Sequence, residues 1–122
     1  MTDVRAAFLD QARSCRELGS PLTAAICATL AEALEPASGP VARTVLDWPG
    51  DASSRGDSVP LRICGGLHAS VLTAADGELA AAYQARKVSA ALLIDVLQRH
   101  RDHMLDWLSL PPQTNEVARS AA

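Results

Sequence analysis

The stretch HRDHMLDW spaces two imidazoles and a carboxylate, His100, His103 and Asp106, at successive steps of three. On a helix that spacing lines them along one face, and such a donor set suits a transition metal. A complete site draws a further ligand from another element, and His68 is the one histidine left to supply it. The plainer reading is the polar edge of a half-exposed helix, so no metal is assigned. Cys64 and His68 lie four apart and share a helical face, which pairs a nucleophile with a base. No Asn or Asp is identifiable to orient them, so no catalytic residue is assigned and both are read as packing residues. The adjacent Gly65-Gly66 lacks the preceding strand and the wider glycine spacing of a phosphate loop. The richest polar cluster is PPQTNEVARS, where Gln113, Thr114, Asn115, Glu116 and Arg119 crowd donors and acceptors into two helical turns. Much of this is an ordinary helix start. Thr114 or Asn115 serves as N-cap, Glu116 suits the positive end of the dipole, and Glu116 pairs with Arg119 three positions on. The amides exceed what capping needs, and a polar cluster beside a rigid Pro-Pro is a place to hold a ligand or a partner.

The elements that must position these residues read as helices throughout. TDVRAAFLDQARSCRELG carries Val4, Phe8, Ala12, Cys15 and Leu18 on one stripe and stops at Gly19. SPLTAAICATLAEALEP starts at once, with Ser20 as cap, Pro21 in the first helical position and Pro36 as the stop. So short a joint predicts a tight hairpin or corner. SGPVARTVLDWPG reads as a short third helix with Trp48 plugging its exit. After the polar loop DASSRGDS, the fourth helix is capped by Ser58 and places Leu61, Cys64, Leu67, His68, Val71 and Leu72 at helical spacing. Its mid-helix glycines each cost about 1 kcal/mol against alanine, so a neighbouring helix is expected to approach that backbone closely. DGELAAAYQAR is a weaker fifth helix. KVSAALLIDVLQRHRDHMLDWLSL reads as one long, central sixth helix, and QTNEVARSAA opens a seventh.

Composition narrows the class. The chain has 122 residues, which predicts one domain able to bury a core without staples. Apolar residues reach 48 % but aromatics only 3 %, a mixture that favours helices over strands. The expected fold is therefore all-α: an irregular, mostly antiparallel bundle of six to seven helices over residues 1–110, followed at 111–122 by a helix start. Eleven basic residues face fourteen acidic ones, for a net charge of −3, and Lys87 is the sole lysine. Nothing there tracks a phosphate backbone, so no nucleic-acid partner is expected. No apolar run nears the ~20 residues that span a bilayer. Cys15, Cys27 and Cys64 are an odd set without paired spacing, which suits a reducing cytoplasm.

Three segments, FLDQARSCRELGSPLTAAICATLA, WPGDASSRGDSVPLRICGGLHASVLTA and LSLPPQTNEVARSAA, together resemble an uncharacterised bacterial family defined only as a domain of unknown function. The resemblance spans nearly the whole chain, and PPQTNEV-R-AA at 111–122 is its most specific element. It implies members about three times this length, in keeping with more than one domain. Past the signature they would continue into a strand and a glycine turn resembling the cofactor loop of a Rossmann-like methyltransferase. S-adenosylmethionine would then belong to that longer half, and this chain would hold no cofactor. The chain departs from the pattern in lacking the C-terminal half, and in YQARKVSAAL, where longer members carry a Pro/Gly-richer stretch. The resemblance thus implies a non-catalytic helical lid or cap, with residues 113–119 leading toward an absent C-terminal domain. Two other classes stand beside it: a stand-alone interaction module forming a homodimer, and a small metal- or ligand-binding helical protein using His100, His103 and Asp106.

Overall fold

The computed structural model describes residues 3–53 and 58–109. Among them every regular element is helical, as the composition implied: α1 (Val4–Glu17), α2 (Pro21–Ala33), a 3₁₀ turn (Pro36–Ser38), α3 (Pro40–Leu46), α4 (Val59–Leu72), α5 (Gly77–Ala85), α6 (Ala90–Arg99) and α7 (Arg101–Leu108).

The caps explain most boundaries. Asp3 accepts from the Arg5 N–H at 3.0 Å and opens α1. Gly19 closes it with φ +80°, which lets the Ser20 N–H reach back to the Cys15 carbonyl at 2.8 Å. Pro21 then begins α2 without an orphaned N–H. The resulting pair is an antiparallel hairpin. The Arg5 guanidinium at the start of α1 donates to the carbonyls of Ala31, at 2.6 Å, and Leu34 at the far end of α2. A cation there meets both the unpaired carbonyls and the negative end of the α2 dipole. Ser58 accepts from the Leu61 N–H at 3.3 Å to cap α4, and Ser89 from the Leu92 N–H at 3.1 Å to cap α6.

The core is aliphatic. Phe8, Ile26, Leu30, Leu34, Ile63, Leu67, Leu79, Leu93 and Met104 are fully buried. Helix α4 touches α1, α2, α5 and α7, while α6 and α7 together touch α2, α3, α4 and α5. The predicted close approach at Gly65-Gly66 is met by α7. A Cβ on Gly66 would lie 2.8 Å from the Met104 Cε and Sδ, and one on Gly65 would lie 3.2 Å from the Trp107 Nε1.

Two sequence expectations shift. The stretch predicted as a single long sixth helix is two, broken at His100 with φ −111° and ψ 32°. The two halves of the segment meet different partners. Its first half is tied through Arg99 and His100 to Asp76 at the start of α5, and its second half seats Met104 and Trp107 on the α4 glycines. A straight helix does not meet both demands. The buried face of α4 is also rotated from the predicted one. Val59, Pro60, Ile63, Gly66, Leu67 and Ser70 point inward, and Leu61, His68 and Leu72 are exposed. Of the predicted stripe, Cys64 and Leu67 are buried and Val71 packs against the core, but the stripe left out Ile63 and Gly66.

Candidate functional site

The terminal residues singled out by type, Gln113, Thr114, Asn115, Glu116 and Arg119, lie outside the described residues, as does the segment 110–122. What the structure does describe is the point from which that segment departs. Arg62 is buried on α4, and its Nη1 donates to the Leu108 carbonyl at the end of α7, 2.9 Å away. Its guanidinium carbon also lies 5.7 Å from the centroid of the Trp48 ring. Trp48 is half-buried at the exit of α3, the plug position its place in the sequence suggested. One guanidinium therefore joins α4, the α3 exit and the last turn of α7. Trp48 also lines a surface cleft of about 440 Å³ with Asp3, Val4, Arg5, Leu46, Asp47 and Pro49. The end of α7 is thus held by a charge-assisted bond to a carbonyl the helix itself cannot satisfy.

His100, His103 and Asp106 do not converge. The His100 Nε2 sits 2.8 Å from Asp76 Oδ2. His103 is exposed and tilted against Trp107, with ring centroids 5.9 Å apart. Asp106 is exposed on the last turn. Among the described residues no group of three or more His, Cys, Asp or Glu is placed to hold a metal. Cys64 and His68 part as well: the thiol faces Cys27 at 3.6 Å, and the imidazole lies against Tyr83.

Two polar groupings went unread in the sequence because their members come from different helices. One is the Cys27–Cys64 contact. The other centres on Asp76, whose side chain is 4 % exposed. Asp76 caps α5 by accepting from the Leu79 N–H at 2.9 Å, and its Oδ2 takes Arg99 at 3.0 Å and His100 at 2.8 Å. Arg99 reaches on to Glu78 at 3.3 Å. Burial alone would raise the Asp76 carboxyl, but the Leu79 N–H, His100 and Arg99 outweigh it and hold it at about 2. The cap was legible in DGEL, whereas Arg99 and His100 lie too far along the chain to be foreseen. This arrangement locks the α5 start to the α6–α7 break. Asp76→Ala is expected to cost about 1–2 kcal/mol, chiefly the lost cap, since Arg99 stays in contact with solvent. Because the folded carboxyl lies below its ordinary value, its stabilisation is complete above about pH 4 and drains away as the pH falls toward 2. Urea unfolding of wild type and variant from pH 7 to 2.5 checks this: the two curves should draw together at the acid end.

No curated protein and no solved structure matches the chain. A family profile described as "Uncharacterized protein conserved in bacteria (DUF2332)" matches residues 5–122. That span takes in the α1–α2 hairpin, the α4–α7 packing and the terminal signature, so the chain belongs to the DUF2332 family.

Proposed function

We propose that this bundle is a non-catalytic helical cap that docks, through residues 111–122, on a methyltransferase-like domain of the kind the resemblance implies for longer family members. The observation that carries the reading is the Arg62–Leu108 anchor. It ties the last turn of α7, which residues 111–122 follow in sequence, to α4, and it commits a buried guanidinium to a helix terminus that water would otherwise serve. A rigid departure point matters most when the segment beyond it must meet a partner in one orientation, because preorganisation lowers the ordering cost of binding. The Trp48 cleft, on the same guanidinium, offers a second place for that partner to rest. In this reading Gln113, Asn115, Glu116 and Arg119 contact the partner near its cofactor cleft, and S-adenosylmethionine, if used, belongs to that partner.

The test mixes the purified chain with the separately produced C-terminal half of a longer DUF2332 protein and measures binding by calorimetry. Association is expected, and Glu116→Ala with Arg119→Ala should weaken it about tenfold, roughly 1.4 kcal/mol. A C-terminal half that folds but does not bind the chain contradicts the cap.

One observation favours homodimerisation as a second reading. The exposed large apolar side chains, Leu9, Leu18, Leu61 and Leu72, sit on α1, on the residue that ends it and on α4, and the two helices pack against each other. Light scattering at micromolar concentration decides it: a dimer supports the module, and a monomer removes it.

A further inference from the structure

Helices α2 and α4 bring two cysteines, 37 positions apart in the chain, face to face inside the core. Their sulfurs lie 3.6 Å apart, and one thiol donates to the other. Cys27 is fully enclosed, whereas Cys64 retains 9 % of its surface. Cys15 on α1 is buried too, but its sulfur is occupied by the Gln11 Nε2 at 3.5 Å. All three are free thiols.

Two small apolar side chains would fill this space equally well. What sets the pair apart is its reach and its shared proton. A disulfide needs a sulfur–sulfur distance of about 2.05 Å, so the gap closes by about 1.5 Å, within the range of side-chain rotation and a small helix shift. The hydrogen bond between the two draws the Cys27 thiol down, against the opposing effect of burial, and pushes Cys64 up. The order of attack is taken as Cys27 first and Cys64 second, which the Cys64→Ser variant tests.

We infer that Cys27 and Cys64 form an oxidant-responsive dithiol, converted by a small hydroperoxide into a disulfide that bridges α2 and α4. The enclosure selects the oxidant. Cys27 has no exposed surface and Cys64 keeps only 9 %, so a small peroxide needs far less opening of the core than a tripeptide disulfide does. In the first step the Cys27 sulfur attacks one peroxide oxygen. The O–O bond breaks, and hydroxide leaves with the thiol proton as water, giving a sulfenic acid. The Cys64 sulfur then attacks the Cys27 sulfur. The S–O bond breaks, and the hydroxyl departs with the Cys64 proton as a second water. The two sulfurs give up two electrons and the two peroxide oxygens take them. The bridge closes the loop that contains α3, which restricts the unfolded chain and raises the unfolding temperature. Metal capture by the same pair is disfavoured. A structural zinc takes four ligands, and among the described residues no group of three is placed to hold a metal.

The experiment treats the reduced full chain with equimolar hydrogen peroxide under native conditions, blocks the remaining thiols in denaturant and maps the peptides. The expected product is lighter by about 2 Da, as loss of two hydrogens requires. It contains a Cys27–Cys64 peptide with Cys15 blocked, and it melts several degrees higher until a dithiol reductant is added. Cys15→Ser should respond like the wild type. Cys64→Ser should leave a sulfenic acid on Cys27 that a cyclic dione traps once denaturant opens the core; if that variant does not fold, the wild-type peptide map alone decides. Three blocked cysteines after peroxide, or a bridge that includes Cys15, overturns the inference. Oxidised glutathione forming the bridge as fast as peroxide overturns the size selection.

Discussion

Phe8→Ala is expected to cost about 4 kcal/mol, the largest loss of any single truncation in this chain. Phe8 is the only phenylalanine in the sequence and is fully buried on α1. Among the described residues, the fully buried core it belongs to is otherwise without an aromatic ring, and the aromatic side chains Trp48 and Tyr83 pack against that core only from its partly buried edge. Two terms add: the apolar surface no longer buried, and the cavity that tightly packed helices do not fully close. A domain of this size carries about 5–15 kcal/mol in all, so the variant should sit near the edge of folding. Urea unfolding followed by circular dichroism reads the loss directly. A cost below about 1 kcal/mol would show that the α1–α2 hairpin does not rest on this side chain.

Gly66→Leu is expected to cost about 3 kcal/mol, by a different route. The Cβ alone would fall 2.8 Å from the end of Met104, which is itself fully buried. Alanine here should come close to neutral. The helix gains about 1 kcal/mol from losing a glycine, and the flexible methionine gives way at a similar cost. Leucine sends further carbons into the same gap. It must lift α7 off α4, taking Met104 and Leu108 out of the core and pulling the Leu108 carbonyl from Arg62. The double variant Gly66→Leu with Met104→Ala tests that mechanism, because space freed by the methionine should restore part of the loss. Strictly additive costs would mean that the glycine is needed for something other than the approach of α7.

Why the sequence foretold some of this follows from how far each cause reaches along the chain. Gly19, Ser20 and Pro21 act on their immediate neighbours, so the α1–α2 hairpin was readable from three letters. The glycine pair announced a close contact because glycine in a helix is costly without one, although which helix would arrive was not written nearby. The face of α4 was misplaced for a related reason. Leu61 and Leu72 look like core residues by type, but they lie on the face of α4 away from Gly66 and Leu67 and are exposed. The break at His100 was invisible because nothing in VLQRHRDHM interrupts a helix locally. It arises where the partners of Asp76 and of Gly66 pull the chain two ways. His100, His103 and Asp106 show the matching error, since correct spacing on one helix did not bring them together once that helix bent and His100 turned to Asp76. Cys27 and Cys64 could not have been paired, because their meeting depends on how α2 crosses α4.

The cap reading stands or falls on residues 113–119 and their response to a partner. Amide hydrogen exchange of the chain, alone and saturated with the C-terminal half of a longer family member, measures that response residue by residue. The account predicts added protection concentrated at Gln113, Asn115, Glu116 and Arg119, with little change at Phe8 and Leu30 in the core. Unchanged exchange across 113–119 in a complex shown to have formed would contradict it.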